Sequence, residues 1–418
     1  MDRPNNLENP REIPSLERRN LHLSISVFKI QKNSVMMVSV KKEKVLIRPE
    51  NIQPMSKKFE VLGALNPSAI RLDNGKILLY VRIIEKLIKN EDKNNCYSPR
   101  FAGKERLKIK IDKFPKTEIR DKTDLTIEFK DNTKRLTYLS SLRRVYLDQS
   151  GFKIEKIEKT PSFFGLNWDG ELGIEDSRLT KIGDLYVMTY VALSRQGNVS
   201  TSYAISNDCI NWFRRGIIFN EQNKDVVILT ERIKERYVAI ERPEGTFQFS
   251  MPHMWISFSK DLELWGDGKP IKLAKKGEWD AGRVGAGPPP IKTEKGWLLI
   301  YHGVKEETKK IVVEEKKFFS LIKEEHEEEE TTISYMVGAA LFDLKNPRKI
   351  IAKTKKPLII PRKKYETGTF EDKKVIFPTG AVTDKNKKHL LLFNGAGDRV
   401  TTVKKLLLEE VMKELEKS

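Results

Sequence analysis

The run Gly173-Ile174-Glu175-Asp176-Ser177-Arg178 sets two carboxylates beside a hydroxyl and a guanidinium at the head of an alternating apolar stretch. An aspartate in a turn that opens a β-strand can deliver a proton to a leaving oxygen, which makes Asp176 the candidate acid. The competing reading is an aspartate that only closes its own turn. Glu175 and Arg178 either orient it or form a structural ion pair. Metal and disulfide chemistry are not implied, because the chain has two cysteines, Cys96 and Cys209, and its five histidines show no zinc-ligand spacing.

Positioning such groups is the task of the elements around them, and the chain is periodic. A polar turn followed by an alternating apolar strand recurs at 66–82 (NPSAIRLDNGKILLYVR), 175–192 (EDSRLTKIGDLYVMTYVA), 229–242 (LTERIKERYVAIER), 287–302 (GPPPIKTEKGWLLIYH) and 378–394 (PTGAVTDKNKKHLLLFN). Each copy reads as a β-hairpin. A second unit, Ser-x-Asp-x-x-x-Trp, follows two of them at 206–212 and 259–265, where the Asp closes a turn and the Trp packs between layers.

Five hairpins, each followed by a further strand or two, fit radial blades of about four strands. The expectation is an all-β chain, a five-bladed β-propeller over about residues 51–400. Residues 1–50 are expected to pack on it as an N-terminal segment. Uneven spacing predicts charged insertions at about 89–159, with strands near 104–112 and 124–130, and at 306–332, an exposed Glu/Lys-rich excursion with some helix. Residues 401–418 are predicted to form a C-terminal helix with Leu406, Leu407, Val411 and Leu415 on one face.

A chain of 418 residues can bury one large all-β domain or two ordinary ones, so the pattern rather than the length decides. The formal charge of +19 invites a nucleic-acid reading, but 59 acidic residues and basic runs that alternate with apolar positions point to solvated strand faces instead. Residues 1–20 lack an apolar signal core, and no stretch reaches the roughly 18 apolar residues of a membrane span. A cytoplasmic protein without membrane or nucleic-acid partners is expected, with a homo-oligomer as one use of the terminal helix.

A further set of motifs is more specific: Asn66-Pro67-Ser68-Ala69 with Tyr80 and Arg82, Glu175-Asp176-Ser177-Arg178, Lys224-Asp225, Glu241-Arg242-Pro243, Arg283 through Ile291 (RVGAGPPPI), Tyr301-His302-Gly303, Tyr335 with Gly338-Ala339-Ala340, Phe377-Pro378-Thr379-Gly380 and Gly395-Ala396-Gly397-Asp398. In these the chain resembles glycoside hydrolase family 130, five-bladed propellers that act on β-mannosides, mostly by phosphorolysis. It departs from the family's usual pattern at Ser177, where proline is common, and at Leu229-Thr230, where Phe-Pro is common.

The resemblance implies an inverting glycoside phosphorylase that cleaves a β-mannosyl oligosaccharide with inorganic phosphate and releases α-mannose 1-phosphate, with no cofactor. Asp176 then delivers its proton to the leaving oxygen by way of a mannose hydroxyl. Lys224, Arg242, Arg283 and His302 match the anion-binding positions, and Arg82, Asp225, Tyr335 and Asp398, with Asn66 and Glu175 beside them, match the sugar-binding region. Phosphate is already an anion, so a phosphorylase needs cations to hold it, whereas an inverting hydrolase needs a second carboxylate as base. Glu231, Glu241 and Asp280 are the candidates for that alternative. A non-catalytic propeller that binds glycans or polyanions is the third reading. Among the tryptophans, Trp212 and Trp265 belong to the repeat, while Trp168, Trp255 and above all Trp279 are candidates for stacking an acceptor sugar.

Overall fold

The repeated apolar segments form strands that are buried on both faces, and successive side chains serve two different neighbours. In the strand Trp297–Lys316, Trp297, Leu299 and Tyr301 pack against the preceding sheet, while Leu298 and Ile300 pack against the following one. The computed structural model describes residues 38–417 except 221, 245–252, 317–322 and 369–372.

The first sheet is four-stranded and antiparallel, with Phe59–Arg71, Ile77–Leu87, Tyr138–Leu147 and Ile154–Ile157. The second holds Gly173–Ile182, Leu185–Ser194, Asn198–Ser206 and Phe213–Phe219, and the third Asn223–Ile228, Tyr237–Pro243, Met254–Ser259 and Trp265–Ile271. The remaining large sheet has nine strands. Its fourth unit comprises Arg283–Ala286, Trp297–Lys316, Lys323–Phe342 and Ile350–Lys353, with the short strand Ile291–Lys292 beside it. Its fifth comprises Lys373–Thr383, His389–Ala396, Val400–Leu407 and, from the other end of the chain, Lys42–Ile47. The two units join by a parallel pairing of Ile333, Ser334 and Tyr335 with Lys373, Lys374 and Val375.

Apolar clusters bind neighbouring units in sequence. Leu78, Tyr80 and Met188 tie the first to the second, Val187 and Val226 the second to the third, and Ile240, Met254 and Trp297 the third to the fourth. Ile300, Ile376 and Leu392 tie the fourth to the fifth, and Val403, Phe393 and Leu79 return from the fifth to the first. The Ser-x-Asp-x-x-x-Trp turns are built alike. Asp208 accepts the amides of Ile210 and Asn211, Asp261 those of Glu263 and Leu264, and Trp212 donates to the Tyr80 hydroxyl of the first sheet at 2.8 Å.

Several boundaries differ from the sequence reading. The third hairpin begins at Asn223–Ile228 and the fourth at Arg283–Ala286, ahead of the predicted starts. Residues 138–157, predicted as insertion, supply two strands of the first sheet. Their alternation is masked because Arg143 is fully buried, 3.5 Å from the equally buried Glu85. The inserted part is the pair Asn95–Phe101 and Ile109–Pro115 with the three-stranded sheet of Ile119–Lys122, Thr126–Phe129 and Lys134–Leu136, around a small core of Cys96, Ile127 and Phe129.

The described parts of the excursion, 306–316 and 323–332, are strand rather than helix, because they extend the fourth unit's central hairpin in unbroken register from Trp297↔Phe342 to Lys316↔Lys323. The terminal helix is confined to Leu408–Glu416. Residues 401–407 are strand, held between His389–Ala396 and Lys42–Ile47. Of the N-terminal segment, residues 1–37 lie outside the described residues.

Candidate active site

One strand of each of the first three sheets breaks register at a polar residue. The shifts fall between Leu65 and Ser68, between Glu175 and Arg178 and between Lys224 and Val227, which is where Asn66, Asp176 and Asp225 lie. These three and Asp398, in the turn between two strands of the fifth unit, have φ of 46°, 43°, 57° and 51°. Left-handed backbone is costly for most side chains and least so for Asn and Asp, whose short polar groups bond locally. The three bulges and the turn at Asp398 aim all four into one space. Asp176 therefore sits on a bulge within the strand Gly173–Ile182 rather than in a turn ahead of it.

That space is a cavity of about 460 Å³. On one side Asn66 donates from Nδ2 to Asp176 Oδ1 at 2.8 Å, and Arg82 donates to the same oxygen at 3.1 Å and to Glu175 at 2.5 Å. Burial pulls the Asp176 carboxyl upward, but Arg82, Arg178, Asn66 and Lys224 outweigh it and leave the group below the ordinary aspartate value. Asp398, on the same side, goes the other way. Burial and the nearby Asp176 push it up against the pull of Arg82 and Lys373. Ser177, where the family tends to have proline, shares a hydroxyl hydrogen bond of 2.7 Å with Ser68 and so ties the first two sheets behind Asp176.

The other side is a lattice of cations around Asp225. Arg242 donates from Nε to Asp225 Oδ2 at 3.0 Å with Nη2 equally close, Arg178 reaches Oδ1 at 3.4 Å, and His302 Nε2 lies 3.6 Å from Oδ2. Burial raises the Asp225 carboxyl, but Arg242, Arg178 and Lys224 are among the groups that bring it down to about 2. Burial, reinforced by the three arginines, depresses His302 to about 3, so it is a neutral imidazole. It therefore adds a hydrogen-bonding group and no positive charge, and its buried Nδ1 has no protein partner among the described residues. Gly285 is what lets these groups meet, since a Cβ there would fall 2.4 Å from the imidazole and 2.5 Å from Asp225.

Asn66, Arg82, Asp176, Lys224, Asp225, Arg242, Arg283, His302, Tyr335 and Asp398 all line this cavity. Glu175 does not. It is buried behind Arg82 and lies 3.9 Å from the Lys224 ammonium. Trp279, the preferred candidate for stacking an acceptor sugar, does not line the cavity either. It stacks on Tyr301 at 5.7 Å and packs against the core between the third and fourth units.

The sequence and the fold match known proteins. A model of glycoside hydrolase family 130, described as beta-1,4-mannooligosaccharide phosphorylase, matches residues 142–417. A beta-1,2-mannobiose phosphorylase of Listeria innocua is 32% identical over 378 residues, 90% of this chain and 97% of that protein. The chain belongs to glycoside hydrolase family 130. A 1,2-beta-oligomannan phosphorylase of a Thermoanaerobacter species is also 32% identical, over 57% of this chain and 70% of that protein. The solved Listeria beta-1,2-mannobiose phosphorylase, in complex with beta-1,2-mannobiose, superposes with a TM-score of 0.73 over 89% of this chain and 97% of that one, at 30% identity.

For a family 130 member the three carboxylates considered as a hydrolytic base are badly placed. Glu231 pairs with Lys292 at 2.5 Å, Asp280 accepts from Tyr301 and Lys353, and Glu241 is held by Asn223 and Ser257. None of them lines the cavity. Residues that sequence reasoning missed do line it, namely Gln222, Glu244 and Phe377. Glu244 was findable. Side chains alternate along a strand, so whatever continues the face of Arg242 beyond Pro243 is two residues on, while Glu241 must point away.

Proposed function

We infer that this chain is an inverting β-mannoside phosphorylase that attacks the anomeric carbon of a β-1,2-linked mannosyl oligosaccharide with inorganic phosphate. Its sheets are read as the blades of a five-bladed β-propeller, a reading supported by the five four-stranded units and by the apolar cluster that returns from the fifth to the first. The observation that carries the activity is one cavity in which Asp176 faces Lys224, Arg242 and Arg283 while the candidate hydrolytic bases are engaged elsewhere. The β-1,2 linkage is favoured over β-1,4 because the relatives named for it match at 31–32% identity, against 24% for the β-1,4 enzyme.

In this reading Lys224, Arg242, Arg283 and His302 hold phosphate against the sugar's anomeric face, which replaces diffusion by a fixed approach. Asn66, Arg82, Tyr335 and Asp398 hold the mannosyl unit. Glu175 and Asp225 act as positioning residues, one through Arg82 and the other through the arginines. Asp176 serves the leaving oxygen. The glycosidic C–O bond breaks, a C–O bond to phosphate forms, and the hydrogen of HPO₄²⁻ is in net terms the one that ends on the released hydroxyl.

The test is cleavage of β-1,2-mannobiose with and without phosphate. Dependence on phosphate with α-mannose 1-phosphate as product is expected. Free mannose released at the same rate without phosphate would put the hydrolase reading first.

A further inference from the structure

Glu244 is a carboxylate in the middle of a site read as an anion-binding one. Its carboxylate accepts from Arg242 Nη1, and the same oxygen lies 3.4 Å from Arg283 Nε. Its backbone amide is anchored on the carbonyl of Gln222 at 2.7 Å, so the side chain projects from a fixed point on the cavity wall. The side chain is 13% exposed and that of Arg242 is 4% exposed.

A guanidinium has five N–H donors in a rigid fork. In Arg242 the Nε and Nη2 end is taken by Asp225 and the Nη1 end by Glu244. A phosphate that used Arg242 and Arg283 together would need the place that the Glu244 carboxylate occupies, because both arginines point at that oxygen. Two anions cannot share it without strong repulsion in so buried a setting.

Resting on the phosphorylase reading, we propose that Glu244 is an internal competitor for the phosphate site, a carboxylate that holds Arg242 and Arg283 in place when phosphate is absent and must swing away for phosphate to bind. Glu244 thereby sets the phosphate concentration at which the enzyme works. It keeps two cations paired while the site is empty, and it weakens phosphate binding by the interactions that have to be given up.

The experiment compares wild type with Glu244→Gln and Glu244→Ala, using inorganic phosphate as the probe. The readouts are the phosphate KM in cleavage of β-1,2-mannobiose and the rise in Tm produced by phosphate alone. Loss of a competing charge-assisted hydrogen bond predicts a phosphate KM at least about tenfold lower in both variants. Phosphate should also raise their Tm at correspondingly lower concentrations.

An unchanged or higher KM in either folded variant overturns the proposal. So does loss of turnover with unchanged phosphate binding, which would make Glu244 a catalytic residue. If neither variant unfolds cooperatively even with phosphate, Glu244 is a structural ion-pair member and the proposal falls. A wild type whose turnover and Tm both ignore phosphate defeats the phosphorylase reading itself, an outcome distinct from a phosphate-dependent wild type whose Glu244 variants bind no tighter.

Discussion

The two walls of the cavity solve opposite electrostatic problems. Around Asp225 cations are in excess. Arg178, Arg242 and Lys224 act on one carboxylate, which is held at about 2 and stays ionised at neutral pH. Around Arg82 carboxyls are in excess, because Glu175, Asp176 and Asp398 all act on one guanidinium. That wall cannot keep every carboxyl charged equally well. It pulls Asp176 down and pushes Asp398 up. Opposed shifts in neighbouring groups mark a place where a proton can be housed and passed on. On the phosphorylase reading proposed above, the difference assigns one wall to receiving negative charge and the other to managing a proton.

The largest break in that comparison is Asp176→Asn, which leaves the cation-rich wall intact and removes the carboxylate that the proposed function assigns to the leaving oxygen. A loss of about 10²–10⁴-fold in kcat is expected, the usual worth of a positioned acid. Cooperative unfolding should be retained. Assay in both directions, phosphorolysis and synthesis from α-mannose 1-phosphate, checks this. Activity within threefold of wild type would move the proton to another group.

Next in size is the cation-rich wall. Arg283→Ala removes a residue with a 39% exposed side chain whose ion-pair partner among the described residues is Glu244. The phosphate KM should rise by at least about tenfold with little change in Tm, since one charge-assisted contact to an oxyanion is lost. Arg242→Ala should raise KM in the same way and also lower Tm, because it strips a buried carboxylate of its main partner. A wild-type phosphate dependence in both variants would place the anion elsewhere.

Much of this site was legible because its motifs are local. Asp176 and Asp225 each sit beside charged neighbours in sequence, and the five hairpins carry period-two alternation. What stayed hidden depends on partners distant in the chain. The left-handed bulges at Asn66, Asp176 and Asp225 show only once the neighbouring strands are paired. The strand Tyr138–Leu147 escaped because a buried Arg143 answers a buried Glu85, which hydrophobic patterning reads as a surface. Glu244, by contrast, was within reach and was passed over for Glu241, although alternation from Arg242 puts Glu244 on the cavity face. Trp279 was misplaced because nearness to Arg283 in sequence says nothing of the Tyr301 ring it covers.

The smallest expected effect tests the comparison on stability alone, with a matched pair of substitutions. Asp225 has a depressed folded-state value, so its contribution is present above the ordinary aspartate pKa and is lost as pH falls toward about 2. Asp225→Asn should therefore lower Tm at pH 7. Asp398 has the opposite sign. Its folded-state value is raised, so ionisation penalises the folded state at neutral pH, and the penalty disappears once pH falls below the ordinary aspartate range, where both states are protonated. Asp398→Asn should raise Tm at pH 7 by about 1–3 °C, the shift that roughly 1 kcal/mol produces in a chain of this size. The gap to wild type should narrow on acidification toward pH 4 and close below the ordinary aspartate range. Turnover should fall at the same time, as is common when a strained functional group is relieved. Calorimetric scans of both variants from pH 4 to 7 decide it. A lower Tm for Asp398→Asn at pH 7 would mean that Asp398 is held ionised like Asp225, and the two walls would then differ in composition but not in kind.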